Sequence, residues 1–406
     1  MLLDVGMRMD SGILLTMGAA RGYLVNKGNY LMPFRNRIGR VGGNCVLRAW
    51  LLVAVCVAAG GLTGRAEAGD DSATPTGSLI NPSAIMFNRA SGKVYAVDTL
   101  GDAVYVSDDA AGSMKRVKVG AGPVSIAVDE KNGCAYVANA GDGTVSVIDG
   151  HSDAVVAVVP IGSHPYSIAA DSGRGRIYVT RTYSNSLTVI DDATNHASEV
   201  KAIGADLVTV NLTTHAIYLL AYEGGNVMAL DGTSYSKKEA TAGMHGWGIV
   251  VDSETGTVYV LRTHNAEVAV FGSDLALEKR IAVGGIPSAV AFNSRTKTLY
   301  VSNYDDDTLT VIDMKSGAPK ATVPVGHHPE GVAVDAERDL VFVANTHGNS
   351  VTVIDCATNK VRSTIAAGKA PYALAYNPVS KKLHIANVGW APVTIGEFGG
   401  TQQAMR

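Results

Sequence analysis

One aromatic or imidazole position returns eight times along the chain: Tyr95, Tyr136, Tyr178, Tyr218, Tyr259, Tyr300, Phe342 and His384, spaced 40 to 42 residues apart. Thirteen residues before these anchors stand Pro82, Pro123, Pro165, Ala205, Gly246, Pro287, Pro329 and Pro371. Thirteen after them stand Asp108, Asp149, Asp191, Asp231, Gly272, Asp313, Asp355 and Glu397. A period of this length restricts the chain to a solenoid, an array or a propeller. A unit so short cannot bury a core alone, so the units must pack on one another.

The content of one unit narrows the choice. In unit seven, Gly331 to Val334, Leu340 to Ala344, Ser350 to Ile354 and Lys360 to Ile365 are apolar or alternating runs. Polar turns rich in Asn, Asp and Gly separate them. Such runs are strands joined by hairpins. No repeat carries an amphipathic helical pattern. Four antiparallel strands per unit describe a propeller blade. The expected fold is therefore all-β, a single β-propeller of four-stranded antiparallel blades, with eight blades favoured and seven the alternative. Only seven units supply a fourth strand, so residues 74–80 are expected to close the ring. The anchors, the Pro and the Asp all read as structural: filling between blades, fixing φ and capping turns.

The motif Tyr136-Val137-Ala138-Asn139 followed by Thr144 to Asp149 recurs as Phe342 to Asn345 followed by Val351 to Asp355. It resembles the YVTN-type β-propeller repeat family over residues 80 to about 398. That resemblance implies a propeller fold and an exported or surface bacterial protein. It implies no particular chemistry.

Residues 1–68 stand apart from the repeat. Arg35, Arg37, Arg40 and Arg48 precede an apolar run from Ala49 to Leu62, and Ala66-Glu67-Ala68 follows. This is the pattern of a secretory signal peptide, with Met32 a candidate start and an uncleaved anchor the competing reading. The apolar run is shorter than the roughly 20 residues that a spanning helix needs. Residues 69–78 read as a linker or closing strand and 79–406 as the propeller. The expected location is periplasmic or extracellular, with no transmembrane span in the mature chain and a monomeric state. Loss of residues 1–68 removes eight basic and three acidic side chains, leaving 26 against 34, a net charge of −8. An acidic body disfavours bulk binding to nucleic acid. Cys134 and Cys356 lie in units two and seven, which are not neighbours, so no disulfide is expected between them.

Function is sought where units break the pattern. The residue before the Pro position and the residue five after the anchor should project from one face. His245 and His264 occupy these positions in unit five, His328 and His347 in unit seven, and His164 and Tyr183 in unit three. Three residues after the anchor, Arg181 and Arg262 replace the usual Asn or Asp, which predicts a local positive spot. Tyr222, Trp247, Tyr304 and Trp390 fall in the same loops. Arg engages carboxylate or phosphate, and aromatic rings supply contact area. The expected role is a binding or scaffold protein that recognises a small ligand or protein partner through this face. The four histidines are candidate ligands for a divalent metal ion, with Asp305 and Asp306 as added oxygen donors. The alternatives are a metal- or His/Arg-dependent, lactonase-like hydrolase at the channel mouth, and single-stranded nucleic-acid binding. No phosphate loop, H-E-x-x-H or paired-cysteine zinc pattern is present. His151, His196 and His215 read as solvated.

Overall fold

The computed structural model describes residues 84–396 apart from 203 and 389, with Trp390 and Ala391 described by backbone alone, and four short strands nearer the N-terminus. The chain divides into two compact units, Met1–Ser72 and Ala73–Arg406. In the first, Met7–Arg8 pairs antiparallel with Leu14–Leu15, and Tyr23–Val25 with Leu31–Pro33. The expected signal peptide and the closing strand at residues 74–80 lie outside the described residues.

The second unit is an eight-bladed propeller of antiparallel sheets. Blade one comprises Ile85–Asn88, Lys93–Asp98, Ala103–Asp108 and Ser113–Lys118, and blade seven Pro329–Asp335, Leu340–Asn345, Ser350–Asp355 and Lys360–Ala366. Blade eight shows three strands among the described residues, Pro371–Asn377, Lys382–Asn387 and Trp390–Ile395. One 3-10 turn, Thr263–Asn265, is the sole helical element described. The first strands of successive blades meet around the ring, and that of blade eight meets that of blade one. They therefore form the inner wall.

All eight anchors are buried. Tyr136 packs with Ile168, Ile177 and Val179 of the next blade, and Tyr178 with Val208, Ile217 and Leu219. Each anchor thus fills the seam ahead of it, and burying a side chain of this size contributes about 1.5–3 kcal/mol. The recurring Asp caps the turn before the fourth strand. Asp149 Oδ1 accepts the Ser152 amide at 2.7 Å, and Asp355 Oδ1 accepts that of Thr358 at 2.8 Å.

His384 differs because its seam is the one that closes the ring. Its Nε2 lies 3.0 Å from Asp109 Oδ2 of blade one. The same carboxylate accepts Asn377 Nδ2 at 2.7 Å and Ser380 Oγ at 2.5 Å, and pairs with Lys382 at 3.5 Å. Burial pushes the His384 imidazole below its ordinary range despite Asp109. His215, expected to be solvated, also joins blades: its Nδ1 lies 2.9 Å from the fully buried Asp171 of blade three. Cys134 and Cys356 are free.

Candidate functional site

The residue before the Pro position enters the first strand in a left-handed conformation. Its φ is +57° at Gly122, +58° at His164, +65° at His245, +46° at Ile286, +50° at His328 and +48° at Ala370. In each case its carbonyl accepts the amide four residues after that blade's anchor, as in Thr263 to His245 at 3.2 Å and Thr346 to His328 at 3.1 Å. This bond ties the loop before the first strand to the loop between the second and third. The two loops therefore hold their side chains together on one face.

The paired rings consequently touch. His245 and His264 meet edge to face with centroids 4.1 Å apart, and His328 and His347 at 4.5 Å. The preceding blade adds a tyrosine to each pair. Tyr222 lies 5.5 Å from His245 and 5.4 Å from Trp247, while Tyr304 stacks on His328 at 4.3 Å. His164 and Tyr183 form a looser pair at 6.3 Å, with Tyr183 77% exposed. The side chain of Trp390 lies outside the described residues.

His328 Nδ1 lies 3.1 Å from the Tyr304 carbonyl oxygen, which can only accept, so Nδ1 carries the proton. His245 Nδ1 is buried without a hydrogen-bond partner. Partial burial, with His245 nearby, pushes His264 below the ordinary imidazole range; partial burial, with His328 and His327, does the same to His347. Among the described residues no group of three or more His, Cys, Asp or Glu stands close enough to hold a metal ion. The imidazoles come together two by two within a blade, without a third such donor. Asp305 and Asp306 are exposed, and Asp306 accepts the Gly285 amide at 2.7 Å.

The expected positive spot is not offered to solvent. Arg181 and Arg262 are 13% and 10% exposed at the side chain, and pair with Glu199 and Glu267. The reason lies in the position they inherit. Asn139 and Asn345 reach from the same place onto third-strand hydroxyls, Nδ2 of Asn345 lying 3.0 Å from Ser350 Oγ. Arg181 makes the corresponding bond to Ser186 Oγ at 2.9 Å and continues to the fourth strand. Both arginines are long versions of a strand link.

Two carboxylates of the inner wall escaped the sequence reading. The residue after the Pro position is Tyr166, Asp206, Trp247, Ser288, Glu330 and Tyr372 in blades three to eight. Reading that column would have exposed two acids at the start of apolar strands, Asp206 just before Leu207–Val210 and Glu330 within Pro329–Asp335. Glu330 is 6% exposed, and its Oε2 has no hydrogen-bond partner. Burial raises its carboxyl to about 7 against a bond from Thr346. Asp206 is also raised by burial, although its Oδ2 accepts the Tyr222 amide at 2.8 Å. Burial and then Glu330 push Tyr304 up to about 12.

With this geometry in place, comparison with known proteins supports the architecture. A family model described as YNCE-like beta-propeller matches residues 262–387. No curated protein matches the chain. Among solved structures, Kuenenia stuttgartiensis hydrazine synthase is similar with a TM-score of 0.53 at 17% identity, over 81% of this chain and 99% of that one. Dihydro-heme d1 dehydrogenase NirN in complex with DHE is similar with a TM-score of 0.62 at 13% identity, over 77% of this chain and 70% of that one. At such identities the likeness is one of fold. The chain is a β-propeller repeat protein.

Proposed function

We propose that the chain is an exported binding protein that takes a flat aromatic ligand on the loop face around the channel mouth. One observation carries this reading: two clusters of rings, Tyr222–His245–Trp247–His264 and Tyr304–His328–His347, stand at equivalent places two blades apart. Stacked and edge-on rings bind planar π-systems and contribute beyond their buried area. Arg181 and Arg262 pair within their blades, so ring contacts rather than these guanidinium groups would carry such a ligand. Export rests on the basic and apolar pattern of residues 35–68. Among the described residues no helix is long and apolar enough to cross a membrane.

One structural neighbour is named in complex with DHE, a ligand of a dihydro-heme d1 dehydrogenase, which makes metal-free protoporphyrin the first probe. Titrated in the presence of chelator, it should bind wild-type protein, and Trp247→Ala or Tyr304→Ala should weaken binding about tenfold, from ring-contact energies of about 1.5 kcal/mol. Lys131→Ala, in a turn between first and second strands, should leave it unchanged. Failure to bind, or indifference to both ring substitutions, contradicts the reading. A second reading, a hydrolase at the same mouth, draws on Glu330, whose free buried oxygen could hold and release a proton. Turnover of an aryl ester or lactone that is lost in Glu330→Gln would favour it.

A further inference from the structure

The two imidazole pairs carry an inference that rests on the loop-face reading but goes past it. His245 and His328 occupy backbone at φ +65° and +50°, where blade two places Gly122. Each one meets a second imidazole 19 residues on, edge to face, at 4.1 and 4.5 Å. Two blades repeat the same two positions.

We propose that His245 with His264, and His328 with His347, form two separate sites for a late first-row divalent metal ion, copper(II) foremost. Each ion is held by two imidazoles and keeps coordination positions open to water or to donor atoms of the bound ligand. The Tyr304 carbonyl accepts from His328 Nδ1 at 3.1 Å and so presents Nε2 with its lone pair, the way metal-ligating histidines are oriented. At the other site, Nδ1 of His245 is buried and unpartnered, and a metal ion would satisfy it. The outer rings of His264 and His347 are exposed, which gives an ion its path of entry. Arg262 does not oppose a cation beside His264, because Glu267 holds its guanidinium in the blade. With no third His, Cys, Asp or Glu at hand among the described residues, neither site is closed. Among divalent first-row ions, copper(II) binds imidazole sites most tightly.

The test uses untagged full-length protein stripped with chelator, titrated with copper(II) alone, and followed by calorimetry and electron paramagnetic resonance. Two ions should bind per chain, each showing coupling to two nitrogens. His264→Ala and His347→Ala should each leave one ion, and the double variant none, with circular dichroism unchanged throughout. A single ion lost on either substitution would mean one shared site and overturns the proposal. So does a count indifferent to both substitutions, or no binding. Porphyrin binding measured under chelator is independent of these outcomes, so loss of copper binding with porphyrin binding retained sinks only the metal sites.

Discussion

Glu330 stands in a column where other blades carry Trp247 or Ser288, on the inner wall, with one oxygen unpartnered. Its carboxyl titrates near 7 in the folded chain, against an ordinary 4.5, chiefly because burial disfavours the charge. The folded state therefore holds this proton more tightly than the unfolded one. Its contribution to stability is complete below about pH 4.5, falls as pH rises toward 7 and is level above. The span corresponds to at most about 3 kcal/mol. Glu330→Gln should remove that slope, stabilising the protein by about 1–3 kcal/mol at pH 8 and by almost nothing at pH 4.5. Urea unfolding at the two pH values measures it. An equal effect at both would show that the carboxyl is not held neutral.

At the scale of strands and loops, much was legible. The four runs read in residues 331–365 fall within the four strands of blade seven. The spacing of His245 and His264 placed them on two loops of one blade, and a backbone bond from Thr263 to the His245 carbonyl brings those loops together. Other features depend on partners that periodicity does not reveal. Arg181 and Arg262 looked like free cations because Glu199 lies on the fourth strand at a position with no repeat signature, while Glu267 replaces the recurring third-strand Thr or Ser and was not paired with Arg262 in the sequence. Tyr222 and Tyr304 reach the histidines from the neighbouring blade, a contact across a seam that spacing within one unit does not show. His215 looked like a loop residue, yet it answers the fully buried Asp171 across a seam. Asp206 and Glu330 were visible in the sequence as a column that was not read.

For the whole ring, closure is the special event. Seven anchors fill their seams as tyrosine or phenylalanine; the eighth, His384, bonds Asp109 from the far end of the chain's repeat. Burial raises Asp109, but Ser380, His384 and Asn377 outweigh it and hold the carboxyl below its usual range. Removing this acceptor strands the buried donors of Asn377 and His384 at the seam between blades eight and one. Asp109→Ala should therefore cost about 3 kcal/mol, the scale for breaking a buried polar pair. A loss below about 1 kcal/mol in chemical unfolding would show that apolar packing alone closes the ring.

On the proposed reading, the loop face with the ring clusters binds, and the opposite face only holds the ring together. Hydrogen exchange with and without bound metal-free protoporphyrin tests it most directly. Protection should gather at His245–Trp247, Thr263–Asn265, Tyr304 and His327–Glu330, with the turns at Lys131, Arg174 and Arg295 unchanged. Protection centred on those turns instead, or spread evenly around the ring, would contradict it.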